Sequence, residues 1–144
     1  MRLLKTERHV PVFVNRQEEF FRAFDFLQKR GFNANYASEN GMLKKQEFTC
    51  EDFVITIYTD ALWEYIDIKI VKGDRTLLLT DGGSTVIFDN DGDESSFVAR
   101  FNEIHNELHK DKLLSVSQMR ALIKLYSDII NTIIDKELER RASL

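Results

Sequence analysis

Asp60, Glu64 and Asp67 fall in one short stretch of the chain, with Trp63 and Tyr65 among them. Neighbouring carboxylates serve acid–base chemistry when one of them is buried and its pKa displaced. At a turn between strands, carboxylates are ordinarily solvated, and the same residues then suit binding. Trp and Tyr anchor many protein interfaces, and a tryptophan at a turn is costly to leave in water. Asp60, Trp63, Glu64 and Asp67 are therefore expected to contact a partner.

Asp89, Asp91, Asp93 and Glu94 form a second acidic run. The run begins like a calcium loop, which needs acids at positions 1, 3 and 5, Gly at 6 and Glu at 12. Counted from Asp89, Gly92 comes two places early and Arg100 occupies position 12. A cation there cannot serve as the bidentate ligand. The run is expected to be a solvated loop whose charge favours the start of the next helix. It is a further candidate for partner contact.

His105 and His109 have a spacing that can chelate zinc on a helix. The metalloprotease pattern needs Glu directly after the first histidine, and Asn106 stands there. Glu107 lies roughly 100° further round the helix. No third ligand is evident, so packing is the expected role of His105. Cys50 has no positioned helper and is expected to be a small strand-end residue. Asp81-Gly82-Gly83-Ser84 has neither Walker-A nor dinucleotide spacing, and no Gly-x-Ser-x-Gly elbow occurs. The reading is therefore non-enzymatic, with no cofactor and no metal.

Charge is unevenly spread. Residues 1–32 hold seven Lys and Arg against four Asp and Glu; residues 33–94 hold five against thirteen, a net of −8; residues 95–144 hold eight against seven, and the whole chain carries −4. Phosphate would be repelled from the centre, which argues against nucleic acid. A basic protein would be drawn to it.

The elements that hold these residues follow from periodicity. A chain of 144 residues, 43% hydrophobic and 31% charged, is most simply one globular domain over 1–144. One proline and six glycines leave no room for a long linker. Thr6, Glu7 and Arg8 interrupt any secretory h-region, no membrane-length apolar run occurs, and the lone Cys50 forms no internal disulfide; a cytoplasmic setting is expected.

Val10–Val14 reads as an edge strand or arm because of Pro11. Asn15 with Glu18 suggests a helix cap, after which Phe20, Phe21, Phe24 and Leu27 share a face. Gly31 suits the C′ position, with Phe32 closing that end. Asn33–Ser38 and Met42–Cys50 read as strands about an Asn40-Gly41 turn. Phe53–Thr59 and Tyr65–Val71 alternate with a period of two, and Arg75–Thr80 and Thr85–Phe88 follow. Ser95 or Ser96 is expected to cap a helix through Phe97, Phe101, Ile104 and Leu108. Ser115 or Ser117 would begin a last helix carrying Met119, Ile123, Tyr126, Ile130, Ile133 and Leu138. Lys136–Arg141 reads as a solvated tail.

The fold class is α+β: an N-terminal helix, an antiparallel meander of five or six strands, and two C-terminal helices packed on one face of the sheet. The helix ending Phe24-Asp25-Phe26-Leu27-Gln28-Lys29-Arg30-Gly31-Phe32, followed by the paired strands Phe53–Asp60 and Tyr65–Val71, resembles small bacterial immunity proteins over roughly the first half of the chain. Those are the antidotes of contact-dependent or polymorphic toxins. The resemblance implies a cytoplasmic protein that binds one cognate toxin, often a nuclease, and neutralises it without catalysis. The contact residues are argued from their own chemistry. The alternative is a structural or adaptor protein that self-associates through the isoleucines at 129, 130, 133 and 134. A small metal-dependent enzyme is the third reading.

Overall fold

The computed structural model describes residues 12–40, 43–62, 64–81, 84–86, 94–108 and 114–142. Three short helical segments, α1 (Val12–Asn15), α2 (Gln17–Phe21) and α3 (Phe26–Lys29), precede six strands: β1 (Asn33–Asn40), β2 (Leu43–Cys50), β3 (Phe53–Asp60), β4 (Tyr65–Lys72), β5 (Arg75–Asp81) and β6 (Ser84–Val86). Helices α4 (Glu94–Leu108) and α5 (Val116–Ala142) follow. No helix among the described residues is long and apolar enough to cross a membrane.

The N-terminal region is more broken than its periodicity suggests. Val12, Phe13 and Val14 are helical, not the expected strand or arm; Val10 and Pro11 lie outside the described residues. Proline directly before a helix is as compatible with a helix start as with an edge strand. Packing decides, because Phe13 is fully buried with its ring 4.1 Å from that of Phe20. Asn15 ends α1 instead of capping α2, whose N-cap is Arg16 without a side-chain hydrogen bond. Phe20, Phe21, Phe24 and Leu27 do face inward together.

The end of α3 follows expectation. Phe32 N–H donates to Leu27 O and Gly31 N–H donates to Gln28 O, both at 3.1 Å. This double bond pattern closes a helix when the C′ residue takes a left-handed conformation, and Gly31 has φ +94°. Phe32 then turns into the core against Phe53, with ring centroids 5.7 Å apart.

All the strands pair antiparallel with their sequence neighbours, in the order β1-β2-β3-β4-β5-β6. Phe53, Ile55, Ile57 and Thr59 of β3 lie on one face, beside Gln46 and Phe48 of β2 and Ile66, Ile68 and Ile70 of β4. All of these are buried. Each buried Ile or Phe contributes roughly 1.5–3 kcal/mol, so this face dominates stability. The opposite face of β2–β4 is exposed or half-buried, apart from Thr56. Register shifts interrupt β1 at Tyr36/Ser38 and β4–β5 at Ile70/Val71.

Helix α5 covers the apolar side with Met119, Leu122, Tyr126, Ile129, Ile130 and Ile134. Ser115 caps it: Gln118 N–H donates to Ser115 Oγ at 3.1 Å and Ser115 N–H donates to Gln118 Oε1 at 2.8 Å. Helix α4 begins at Glu94, so Ser95 and Ser96 lie within its first turn and do not precede it as caps. It touches β6 and α5. Polar ties join α5 to the N-terminal region. Arg30 donates at 2.6 Å to Asn131 Oδ1 and to Asp135 Oδ1, and Arg120 grips Glu19 at 2.7 and 3.1 Å. Glu137, expected in a solvated tail, is buried.

Candidate functional site

Register brings the acidic and aromatic residues of β3 and β4 together. Leu43, Asp60 and Tyr65 form one cross-strand row, and Lys45, Tyr58 and Asp67 form the next. Alternation places both rows on the face opposite the isoleucines. Tyr58 is 37% exposed, Leu43 38%, and Leu62 in the adjoining turn 50%. Lys45 Nζ lies 5.7 Å from the centroid of the Tyr58 ring, within cation–π range.

The two aspartates are differently placed. Asp60 Oδ1 accepts from Leu62 N–H at 3.0 Å, which shapes the β3–β4 turn. Asp67 is half-buried, and Thr80 Oγ1 lies 3.4 Å from its Oδ1. Thr80 Oγ1 also accepts from Ile68 N–H at 2.7 Å, replacing a backbone partner where the β4–β5 ladder ends. Burial pushes the Tyr126 hydroxyl well above the usual phenol range, and the Asp67 carboxylate adds to this. Asp67 is thus partly committed to the fold, and Asp60 stands at the end of β3 where the exposed turn begins.

Glu64 departs from the exposed-turn expectation. It is only 6% exposed, and its backbone is left-handed with φ 55°. Its carboxylate accepts hydrogen bonds from the backbone N–H groups of Val12, Phe13 and Leu114. Burial pushes its pKa above the usual carboxylate range, and the three N–H groups only partly offset this. Oε2 accepts no hydrogen bond. A carboxylate so enclosed offers no contact surface. Trp63, Asp89, Asp91 and Asp93 lie outside the described residues, and Glu94 is the first residue of α4.

His105 packs edge-on against Tyr126, with centroids 6.1 Å apart, and so joins α4 to α5. His109 lies outside the described residues. Among the described residues no three His, Cys, Asp or Glu side chains are grouped as a metal would need. Cys50 ends β2 half-buried against the core. Ile129, Ile130 and Ile134 are buried against the chain's own core, with Ile133 partly buried beside them; Leu138, at 49%, is the large exposed hydrophobic residue of α5.

Sequence reasoning missed the inward course of Glu64 and the Thr80 plug. A left-handed non-glycine residue leaves no mark in a hydropathy pattern. The Thr80 plug depends on where the β4–β5 ladder ends. Comparison with family models, with known proteins and with solved structures finds no match for this chain.

Proposed function

We propose that this protein is a non-enzymatic binding module that neutralises a basic protein through the β3–β4 end of its sheet. In its most specific form the reading is an immunity protein, acting in the cytoplasm against a basic toxin such as a nuclease. The supporting observation is the juxtaposition of Asp60 and Tyr65 with the exposed Tyr58, Leu43 and Leu62. Aromatic anchors beside a carboxylate suit arginine- and lysine-bearing surfaces. The acid excess of residues 33–94 would speed the approach of such a partner. The reading takes both C-terminal helices to lie on the inner face, leaving the outer face to the partner.

The test is a low-salt pull-down from the native host, with partners identified by mass spectrometry. The expected result is one stoichiometric basic protein, released by salt, whose toxicity the purified chain suppresses at equimolar ratio. Combined Tyr58→Ala and Asp60→Asn should weaken that capture at least tenfold. Undiminished capture by this variant would remove the β3–β4 surface from the proposal.

A further inference from the structure

We propose that Glu64 is a charge-operated latch: its buried carboxylate clasps the backbone of Val12 and Phe13 on one side and of Leu114 on the other. One proton then sets how firmly the β3–β4 turn holds the first helix and the approach to the last. Three separate parts of the chain converge on this group. The side chain lies almost wholly out of solvent, the residue being 6% exposed, so its charge is poorly solvated. Its left-handed backbone aims it inward, a conformation uncommon outside Gly, Asn and Asp. Such outliers persist where surrounding contacts over-determine them.

The two protonation states differ in what they do. Ionised, the carboxylate makes charge-assisted bonds to the three N–H groups and holds all three segments. Protonated, it keeps its place without the burden of a buried charge, and because burial outweighs the three N–H bonds the clasp is the firmer in this state and is loosened by ionisation. Oε2 has no partner, so the ionised form is incompletely compensated. The nearest charged neighbour in its own turn is Asp60, whose carboxylate is engaged by Leu62 N–H. Helix α1 has no acidic or basic residue, and the first turn of α5 has no acidic one. Lys110, Asp111 and Lys112 precede Leu114 in sequence, and Arg8 and His9 precede Val12; all lie outside the described residues. Among the described residues, the causes of the Glu64 shift are burial and the three backbone groups, with no charged side chain.

The test is a titration of the full chain by amide NMR. The amide protons of Val12, Phe13 and Leu114 should move together with one midpoint above the ordinary glutamate range. In Glu64→Gln, which keeps an acceptor but cannot ionise, all three should lose this transition while the rest of the spectrum stays folded. A transition at the ordinary glutamate pKa, or three amides that titrate independently, would overturn the latch. Should Glu64→Gln fail to fold, the wild-type carboxyl resonance of Glu64 gives the same answer directly, since its midpoint must coincide with that of the three amides.

Discussion

The Arg75 guanidinium on β5 donates hydrogen bonds to both carboxylate oxygens of Glu137 on α5, at 3.3 and 3.0 Å. The Glu137 side chain is 7% exposed and that of Arg75 33%. A fork-to-fork pair at this depth fixes where the last turns of α5 lie on the sheet. Arg75→Ala should destabilise by about 1–3 kcal/mol, because it leaves a buried carboxylate without its main donor. The double variant Arg75→Met with Glu137→Leu should recover most of that loss, since an apolar pair can replace a buried ion pair. Denaturant titration of the three variants measures both effects.

Ile130 is fully buried. Ile130→Ala should cost about 2–5 kcal/mol. Ile130→Glu should unfold the chain, giving loss of the cooperative thermal transition. A folded Ile130→Glu protein of reduced oligomeric size would instead place Ile130 in a seam between copies.

Gly31 occupies the left-handed position after α3, and a Cβ there would meet no atom within 4 Å. Gly31→Ala therefore isolates the backbone term, about 1–2 kcal/mol. Equilibrium unfolding should show that loss with an unchanged m-value.

Asp60→Asn keeps the acceptor for Leu62 N–H while removing the charge. Stability should stay within about 0.5 kcal/mol of the parent. Association with a basic partner should slow, and its rate should depend less on salt. Stopped-flow binding at two ionic strengths separates this from a packing defect.

Glu64 makes stability depend on pH in a definite direction. Its folded pKa lies above the ordinary value, so the folded state holds the proton more tightly than the unfolded state. Stability from this group is fullest below the ordinary glutamate pKa. It declines as pH rises through the window up to the raised value and is flat beyond it. Thermal midpoints of the parent, taken relative to Glu64→Gln, should fall across that window. A difference that stays constant with pH would contradict it.

Much of the architecture was legible because it rests on local pattern. Alternation in Phe53–Thr59 and Tyr65–Val71 marked two strands, and both occur with an extra residue at the C-terminal end. Gly31 followed by an aromatic marked the close of α3, and Ser115 or Ser117 marked the start of α5, where the structure selects Ser115 as the cap. The residues that escaped detection are those set by distant contacts. Phe13 is helical because Phe20 receives its ring, and Glu137 is buried because Arg75 meets it. Glu64 points inward because three remote backbone groups receive it. Neither composition nor spacing carries such information. The candidate surface was legible as far as Asp60 and Asp67; Tyr58 and Leu43 joined it only through register.

The pairing of every strand with its sequence neighbour has a consequence for how the chain is made. A ribosome can release the meander hairpin by hairpin, each closing over a short loop. The N-terminal aromatics are already present to cover part of the isoleucine face, but the share that belongs to Tyr126, Ile130 and Ile134 stays open until they emerge, long after the sheet has formed. The nascent protein therefore passes through a stage at which its strands are paired but only partly covered. Molecular chaperones that grip apolar strands would find their substrate then, and would lose it once α5 docks.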